Sequence, residues 1–335
     1  MAKYEIGGFF GLELAQRQPL HADTLALNSG RNALRLLLRA SGVSRIHIPV
    51  FSCPALIPSI QAEGVAVSYY RVTADLEPAD LEPPAADEAI LLINYFGLKA
   101  ATMQRYSSTY NNVIVDQCQA LFASPLPGLG SIYSPRKFVG VADGGYLFTQ
   151  LEVSAALPVD ESSQRYQHCL KRIDAGAPAA YTDYQSDETL LSKQTPALMS
   201  RLTRSVLASI DYGVVSQRRR ENFTRLHASL SGLNQLSLEF DEQAVPMAYP
   251  FVIDAPGLRE HLIEQGIYVA CYWPDPDGLL PGDPVREMLS SHLLALPIDQ
   301  RYGASEMQLI AELVVAYLSS AGMSAQSVQV GNGHT

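Results

Sequence analysis

The chain is 335 residues long, 47% hydrophobic and 17% charged, which excludes a disordered chain and predicts a large core spread over about two domains. Lys and Arg total 24 against 34 Asp and Glu, a formal net charge of −10 with no basic stripe, so nucleic acid is excluded as the main ligand.

The opening MAKYEIGG lacks the apolar core of a secretory signal. The longest uncharged apolar runs, such as 89–98, fall well short of the roughly 18 residues of a membrane helix. Cys53, Cys118, Cys169 and Cys271 form no CxxC pair, and the histidines form no HExxH. Reduced thiols, no metal, no membrane and a cytoplasmic location are therefore expected.

Residues 1–20 read as an N-terminal arm. From residue 25 onward, short β-rich runs alternate with helical stretches. Ser29 is placed as the N-cap of a helix over 29–38. A strand at 46–50, a helix over 53–63 closed by Gly64, and strands at 65–70, 89–94 and 113–115 follow. Strands separated by helices predict βαβ units and a parallel sheet covered on both faces. Beyond about 150 the pattern changes, and 157–215 is polar and helix-leaning, with Pro158, Pro178 and Pro196. A long helix is expected over 212–233, where Arg218, Arg219 and Arg220 read as a solvated face. A strand at 247–253, a helix over 256–265 closed by Gly266, a strand at 267–272 and a last helix over 304–321 predict a smaller α+β unit. The polar stretch 325–335 reads as a disordered tail.

No GxxxxGK[ST] or GxSxG is present, and Gly140, Gly144 and Gly145 are wrongly spaced for GxGxxG. The informative segments are VIVDQCQA (113–120) and SIYSPRKFVGVADGGYLFT (131–149). Asp116 ends an apolar strand, where open α/β sheets bind ligands, although alone it reads equally as a cap or turn carboxylate. Lys137 alone is a surface charge. Together, and followed by a Gly-Gly strand, the two supply what pyridoxal phosphate requires. Those needs are an amine that forms a Schiff base with the aldehyde and a carboxylate that keeps the pyridine ring protonated and electron-withdrawing. Free N–H groups at the start of the first helix, Ser29-Gly30-Arg31-Asn32, suit its phosphate.

In this order the segments resemble the DegT/StrS-type aminotransferases, the sugar-aminotransferase branch of the fold-type I pyridoxal-phosphate enzymes. LNSGRNALRLLL resembles the family's SGT-A-AL helix start, and IPVFSCPALIPSIQAEGVAV its P-x-F-T-F segment. INYFGLKA stands where the family has V-H-L-Y-G, VIVDQCQA resembles V-I-E-D-A-A-Q-A, and SPRKFVGVADGGYLFT resembles S-F-x-x-x-K-x-L-x-x-G-E-G-G-x-x-x-T. LIEQGIYVACYWPD and LALPIDQRYGASEMQLIAELV resemble the elements G-I-x-x-x-x-Y-x-P and L-P-L-x-x-x-x-T-x-x-x-x-x-V.

The resemblance implies that Lys137 is the Schiff-base lysine and proton carrier, that Asp116 pairs with the pyridinium nitrogen, and that Gln119 lies near the phenolic oxygen. It places the phosphate on Gly30, Arg31 and Asn32, with Ser134 either a further phosphate contact or a turn residue before Pro135. Tyr95 and Tyr272 are the candidate substrate contacts. Several positions depart from the family pattern. Cys53 replaces the ring that stacks on the cofactor, leaving Phe51 or Tyr95 to substitute. Arg31 and Asn32 replace small residues, and the Arg31 guanidinium either strengthens phosphate binding or points to solvent. Asn94 replaces a histidine, and Ala142 and Asp143 replace the Gly-Glu of G-E-G-G. The G-x-N-x-R segment, through which a neighbouring subunit completes the site, has no counterpart in 165–215. Residues 7–10 read as a lid or dimer contact, or simply as an anchored arm.

The implied architecture is a fold-type I transferase. Its large α/β domain, with a mixed, mostly parallel sheet, is expected over 21–210, and a small α+β domain over 211–324. The implied protein is a homodimer that binds pyridoxal 5'-phosphate and moves an amino group by ping-pong transfer to a keto acceptor, by analogy a nucleotide-linked keto sugar. Elimination or dehydration on the same scaffold, and non-catalytic cofactor binding, remain open at this point.

Overall fold

Strands β1 (Leu25–Leu27), β2 (Arg45–Pro49), β3 (Ala66–Tyr70), β4 (Glu88–Ile93), β5 (Val113–Asp116), β6 (Gly130–Tyr133) and β7 (Gly145–Phe148) form one sheet in the order β1-β7-β6-β5-β4-β2-β3. The description comes from a computed structural model and covers residues 6–153, 156–238, 240–273 and 282–322. The tail expected at 325–335 lies outside these residues. Pairing is parallel from β3 through β2, β4 and β5 to β6, whereas β7 runs antiparallel to both β6 and β1. The sheet is therefore mixed and mostly parallel, as expected. Every residue of β5 and nearly every residue of β4 is buried, which explains why these strands read as unbroken apolar runs rather than as alternation.

Helices α1 (Gly30–Ser41), α2 (Leu56–Gln61) and α3 (Ala100–Thr109) connect the strands. The Ser29 hydroxyl caps α1 by accepting from the Asn32 N–H at 3.2 Å, and Gly42 ends the helix in the left-handed region at φ 66°. Between these caps Ala33, Leu34, Leu36, Leu37 and Leu38 are buried, and the helix packs on β6 and β7.

Beyond the sheet, α4 (Gln167–Ser192) is broken at Gly176, which takes φ 81°, and Pro178 follows the break. Its two arms are tied by His168 to Asp187 (2.7 Å) and Lys171 to Asp183 (2.9 Å). The chain leaves and re-enters the sheet region at one place: Leu198 N–H donates to Pro158 (2.8 Å), Asp160 N–H to Leu198 (2.9 Å), and Leu198 also bridges Leu27. Next come α5 (Arg201–Ser209) and α6 (Tyr212–Leu230). Asp143, fully buried, accepts from the Ser200 N–H (2.8 Å), the Ser200 hydroxyl (2.7 Å) and the Thr203 hydroxyl, so it anchors the start of α5.

A second sheet, in the order β8-β10-β9, contains β8 (Tyr249–Val252), β9 (Ala270–Cys271) and β10 (Leu293–Leu296), all antiparallel. Its helices are α7 (Leu258–Glu264), α8 (Pro284–His292) and α9 (Ala304–Ser320), with α9 packed on α6 and α7.

One sequence expectation is corrected here. The arginine run of α6 is not uniformly solvated: Arg218 is exposed, but Arg219 is 1% exposed. It falls on the helix face that also buries Val215, Asn222, Phe223, Leu226 and Leu230.

Candidate active site

The carboxyl ends of β4, β5 and β6 lie side by side and deliver Asn94, Asp116 and Ser134 to one edge of the sheet. This is where an open α/β sheet leaves room for a ligand. After Ser134, a single tight turn, Pro135–Lys137, carries the lysine, and the N–H groups of Phe138 and Val139 close it on the Pro135 carbonyl at 2.9 and 3.0 Å. Lys137 is exposed to solvent while Cys118, Asp116, Tyr272 and Cys53 gather around its amine, so the site is an open cleft. Burial by itself would depress the Lys137 ammonium. Cys118, Asp116, Tyr272 and Cys53 around it outweigh that effect, and its pKa is raised.

Asp116 is oriented locally, because the Cys118 N–H donates to its Oδ1 at 2.8 Å. The Cys118 thiol is pushed well above its ordinary value, by burial first and by Asp116 second, so it stays a neutral thiol. Gln119 is 1% exposed, and its Oε1 accepts from the Phe96 N–H at 2.7 Å. Its Nε2 is buried with no hydrogen-bond partner among the described residues. An orphaned buried donor costs about 1–3 kcal/mol, so a ligand acceptor here would be stabilising.

The start of α1 is wedged against the same edge. A Cβ on Gly30 would stand 2.9 Å from Cys118 Sγ and 3.3 Å from the Tyr133 carbonyl. A Cβ on Gly145 would stand 2.2 Å from the Ser29 carbonyl carbon, so no side chain fits there. Gly144, at φ 131°, donates its N–H to Asn28 at 2.8 Å and fixes this approach. The first turn of α1 contains no acid, and the half-buried Arg31 pairs with no carboxylate among the described residues. A cation at a helix N-terminus opposes the helix dipole, and an anion bound there would reverse the sign of that term.

The expected site residues separate into two groups. Lys137, Asp116, Cys53 and Tyr272 come together, joined by Cys118, which sequence reasoning had not singled out, with Tyr272 half-buried and close enough to Lys137 to feel its charge. Gly30 and Ser134 adjoin them at the start of α1. Phe51 and Tyr95 do not present a free face. Phe51 is fully buried against Tyr95 (5.9 Å) and Trp273 (4.9 Å), and the Tyr95 hydroxyl donates to the Phe51 carbonyl at 2.6 Å. Tyr95 also lies close enough to Asp116 to feel its charge. The Asn32 side chain turns away to donate to Asn28 Oδ1 (2.9 Å) and the Thr195 carbonyl (3.1 Å), so only its main chain lies at the helix start. Asn94, in the histidine's place, donates to Gln117 (2.8 Å) and accepts from the Lys99 N–H (2.9 Å). Sequence reasoning missed Arg136, which pairs with Glu188 of α4 and so ties the lysine turn to that helix. A groove of about 700 Å³ between α6 and α9, lined by Arg225 and Met307, contains none of these residues.

No family model matches the chain. No curated protein matches it either. Among solved structures, the aminotransferase TlmJ of Streptoalloteichus hindustanus is similar at TM-score 0.63 and 16% identity over 92% of this chain and 93% of that one. A DegT DnrJ EryC1 StrS aminotransferase from Brucella abortus matches at TM-score 0.62 and 17% identity, covering 88% of this chain and 85% of that one. The fold is that of the DegT/StrS-type aminotransferases. NtdA of Bacillus subtilis, solved with bound cofactor PMP, matches at TM-score 0.65 and 17% identity, covering 88% of this chain and 73% of that one. The fold-type I expectation therefore holds at the level of the fold. Among the described residues, no helix is long and apolar enough to cross a membrane.

Proposed function

We propose that this protein is a pyridoxal-phosphate-dependent aminotransferase. The observation that carries the reading is the placement of the Lys137 amine beside Asp116 at the ends of adjacent parallel strands, with a helix N-terminus against the same edge. When bound, the cofactor supplies an electron sink for the electrons left as a proton departs from the donor's α-carbon. The residues present fit it. Lys137 Nζ would hold the aldehyde carbon covalently and later carry the proton between the substrate carbon and the site. Asp116 would face the pyridine nitrogen and keep it protonated. The unpartnered Gln119 Nε2 would donate to the phenolic oxygen, and the first turn of α1, with Arg31, would hold the phosphate. Tyr272, beside Lys137, would meet the substrate.

On this reading residues 21–210 are the cofactor-binding domain and 211–324 the smaller one. The donor is an amino acid, by analogy glutamate, and the acceptor a keto compound, by analogy a nucleotide-linked keto sugar. Protein mixed with pyridoxal phosphate should gain a visible band. An amino donor alone should bleach it, and a keto acid alone should then restore it. Product release from one substrate, with no need for a keto acid, would instead establish elimination or dehydration. A band that no donor bleaches would establish non-catalytic binding.

The same reading makes the protein a homodimer. Ile6, Phe9 and Phe10 are 95%, 98% and 93% exposed, and Ile173 of α4 is 82% exposed, which is apolar surface that a second copy would cover. Sedimentation analysis should give twice the chain mass, and a monomer at micromolar concentration would refute the pairing.

A further inference from the structure

Arg219 heads the side chains wholly removed from solvent in the described chain, yet the groups that it touches are neutral. Its Nη2 donates to the Phe138 carbonyl (3.1 Å), its Nη1 to the Met247 carbonyl (2.8 Å) and its Nε to Gln300 Oε1 (3.1 Å). Its guanidinium carbon stands 4.6 Å from the centre of the Phe138 ring. Asp299, Arg301 and Tyr272 act on it at longer range, and Asp299 is itself held by Arg301 at 2.7 Å. Burial pushes the Arg219 pKa down to about 10, which still leaves the group charged at neutral pH. Burying a charge among dipoles is costly, and an apolar side chain of similar volume would spare the fold that cost. Only a guanidinium has enough N–H groups, fixed in one plane, to reach acceptors on three separate segments.

Those segments converge on the site. The Phe138 carbonyl belongs to the residue after Lys137, and it also accepts from Gln300 Nε2 at 2.8 Å. On the other side, the Met247 N–H donates to the Phe96 carbonyl at 2.9 Å, and the Phe96 N–H donates to Gln119 Oε1 at 2.7 Å. An unbroken run of bonds therefore leads from the lysine turn, through Arg219, to the one side-chain amide of the site that lacks a partner for its donor.

We propose that Arg219 is a positioning residue that sets the Lys137 turn in register with the Gln119 amide by clamping the Phe138 and Met247 carbonyls together. The proposal rests on the cofactor reading above and deepens it. Arg219 is 1% exposed, and its guanidinium donates to the Phe138, Pro246 and Met247 carbonyls and to Gln300. It acts through the peptide that follows the lysine.

The test compares the parent with Arg219→Met, Arg219→Lys and Gln300→Ala, each loaded with pyridoxal phosphate. The visible band is titrated against pH, and kcat and KM are measured for the donor. Arg219→Met should move the midpoint of the band by about one pH unit, because Lys137 and the groups around it no longer keep one geometry. It should also lower kcat about 100-fold with KM little changed, the scale of an ångström-sized misplacement. Arg219→Lys should recover part of both effects. Gln300→Ala, which removes the second donor to the Phe138 carbonyl from a half-buried position, should shift the midpoint less and in the same direction. It keeps the proposal testable if Arg219→Met does not fold. Variants that melt earlier but titrate and turn over like the parent would reduce Arg219 to a structural role and overturn the proposal alone. A parent that forms no band overturns the cofactor reading and this proposal with it.

Discussion

Lys137→Ala should yield a protein that folds, gains no visible band with pyridoxal phosphate and retains no borohydride-stable adduct. The amine leaves from an open cleft, so little packing is lost, and the tight turn is closed by main-chain bonds to Pro135 that alanine preserves. The amino-transfer half-reaction should fall by about 10³-fold or more, since one side chain supplies both the covalent attachment and the proton transfer. The parent's behaviour with pH checks the same residue. Only the neutral amine attacks an aldehyde, and the raised pKa keeps more of it protonated at neutral pH. Covalent attachment should therefore accelerate about tenfold per pH unit on the alkaline side of neutrality, until the Lys137 pKa is reached. A raised folded-state pKa also means that the lysine's contribution to stability is complete below its ordinary value. That contribution is lost as the pH climbs through the folded value, so the cofactor-free protein should weaken there. Attachment that is flat in pH, or an adduct mapped to another lysine, would remove Lys137 from the role.

Asp116→Asn should separate binding from chemistry. The amide oxygen still accepts the Cys118 N–H that orients the carboxylate, so the local geometry survives and stability should change by less than about 1 kcal/mol. What disappears is the charge. An amide does not hold a protonated pyridine nitrogen, and the donor half-reaction should slow by about 10²–10³-fold, the usual scale for removing one preorganised electrostatic partner. The same substitution removes one of the groups that raise the Lys137 pKa. Attachment of the cofactor near neutral pH should thus become faster while turnover becomes slower. A variant that slows both steps equally would indicate collapse of the site rather than loss of the ring's counter-charge. Rapid-mixing absorbance with pyridoxal phosphate, then with donor, reads both steps on one sample.

The parts of this site that were legible in the sequence are those whose environment is uniform. The β4 and β5 runs are apolar because both faces are covered, so Asp116 stood out as the polar residue that ends such a run. Lys137 was legible only through its partners, since a lysine in a turn has no signature of its own. β10 did not stand out, because four apolar residues directly after α8 read equally as helix. β1 has three residues and no alternation. The closeness of Gly145 to the start of α1 is a contact across the sheet edge, invisible to any local pattern. Arg219 differs, because its signal was present. Counting along α6 from Val215 in steps of three and four passes through 219, 222, 226 and 230, so the arginine occupies the apolar stripe. The neighbouring Arg218 and Arg220 drew the eye to charge and away from phase. The burial of Phe51 and Tyr95 was illegible for a related reason: an aromatic ring near a cleft reads alike whether it faces the opening or packs behind it.

The segment that holds α4 begins and ends at the same spot on the sheet, where Pro158, Asp160 and Leu198 exchange main-chain bonds. Such a closed excursion is a module whose length barely matters to the rest of the fold, because doubling a loop of this kind costs only about 0.6 kcal/mol in closure entropy. Its content is free to diverge while the strands that carry Asp116 and Lys137 stay in register. The one stretch in which the sequence has no counterpart to G-x-N-x-R lies largely within this module. Evolution can therefore exchange this segment as a self-contained part and leave the sheet untouched.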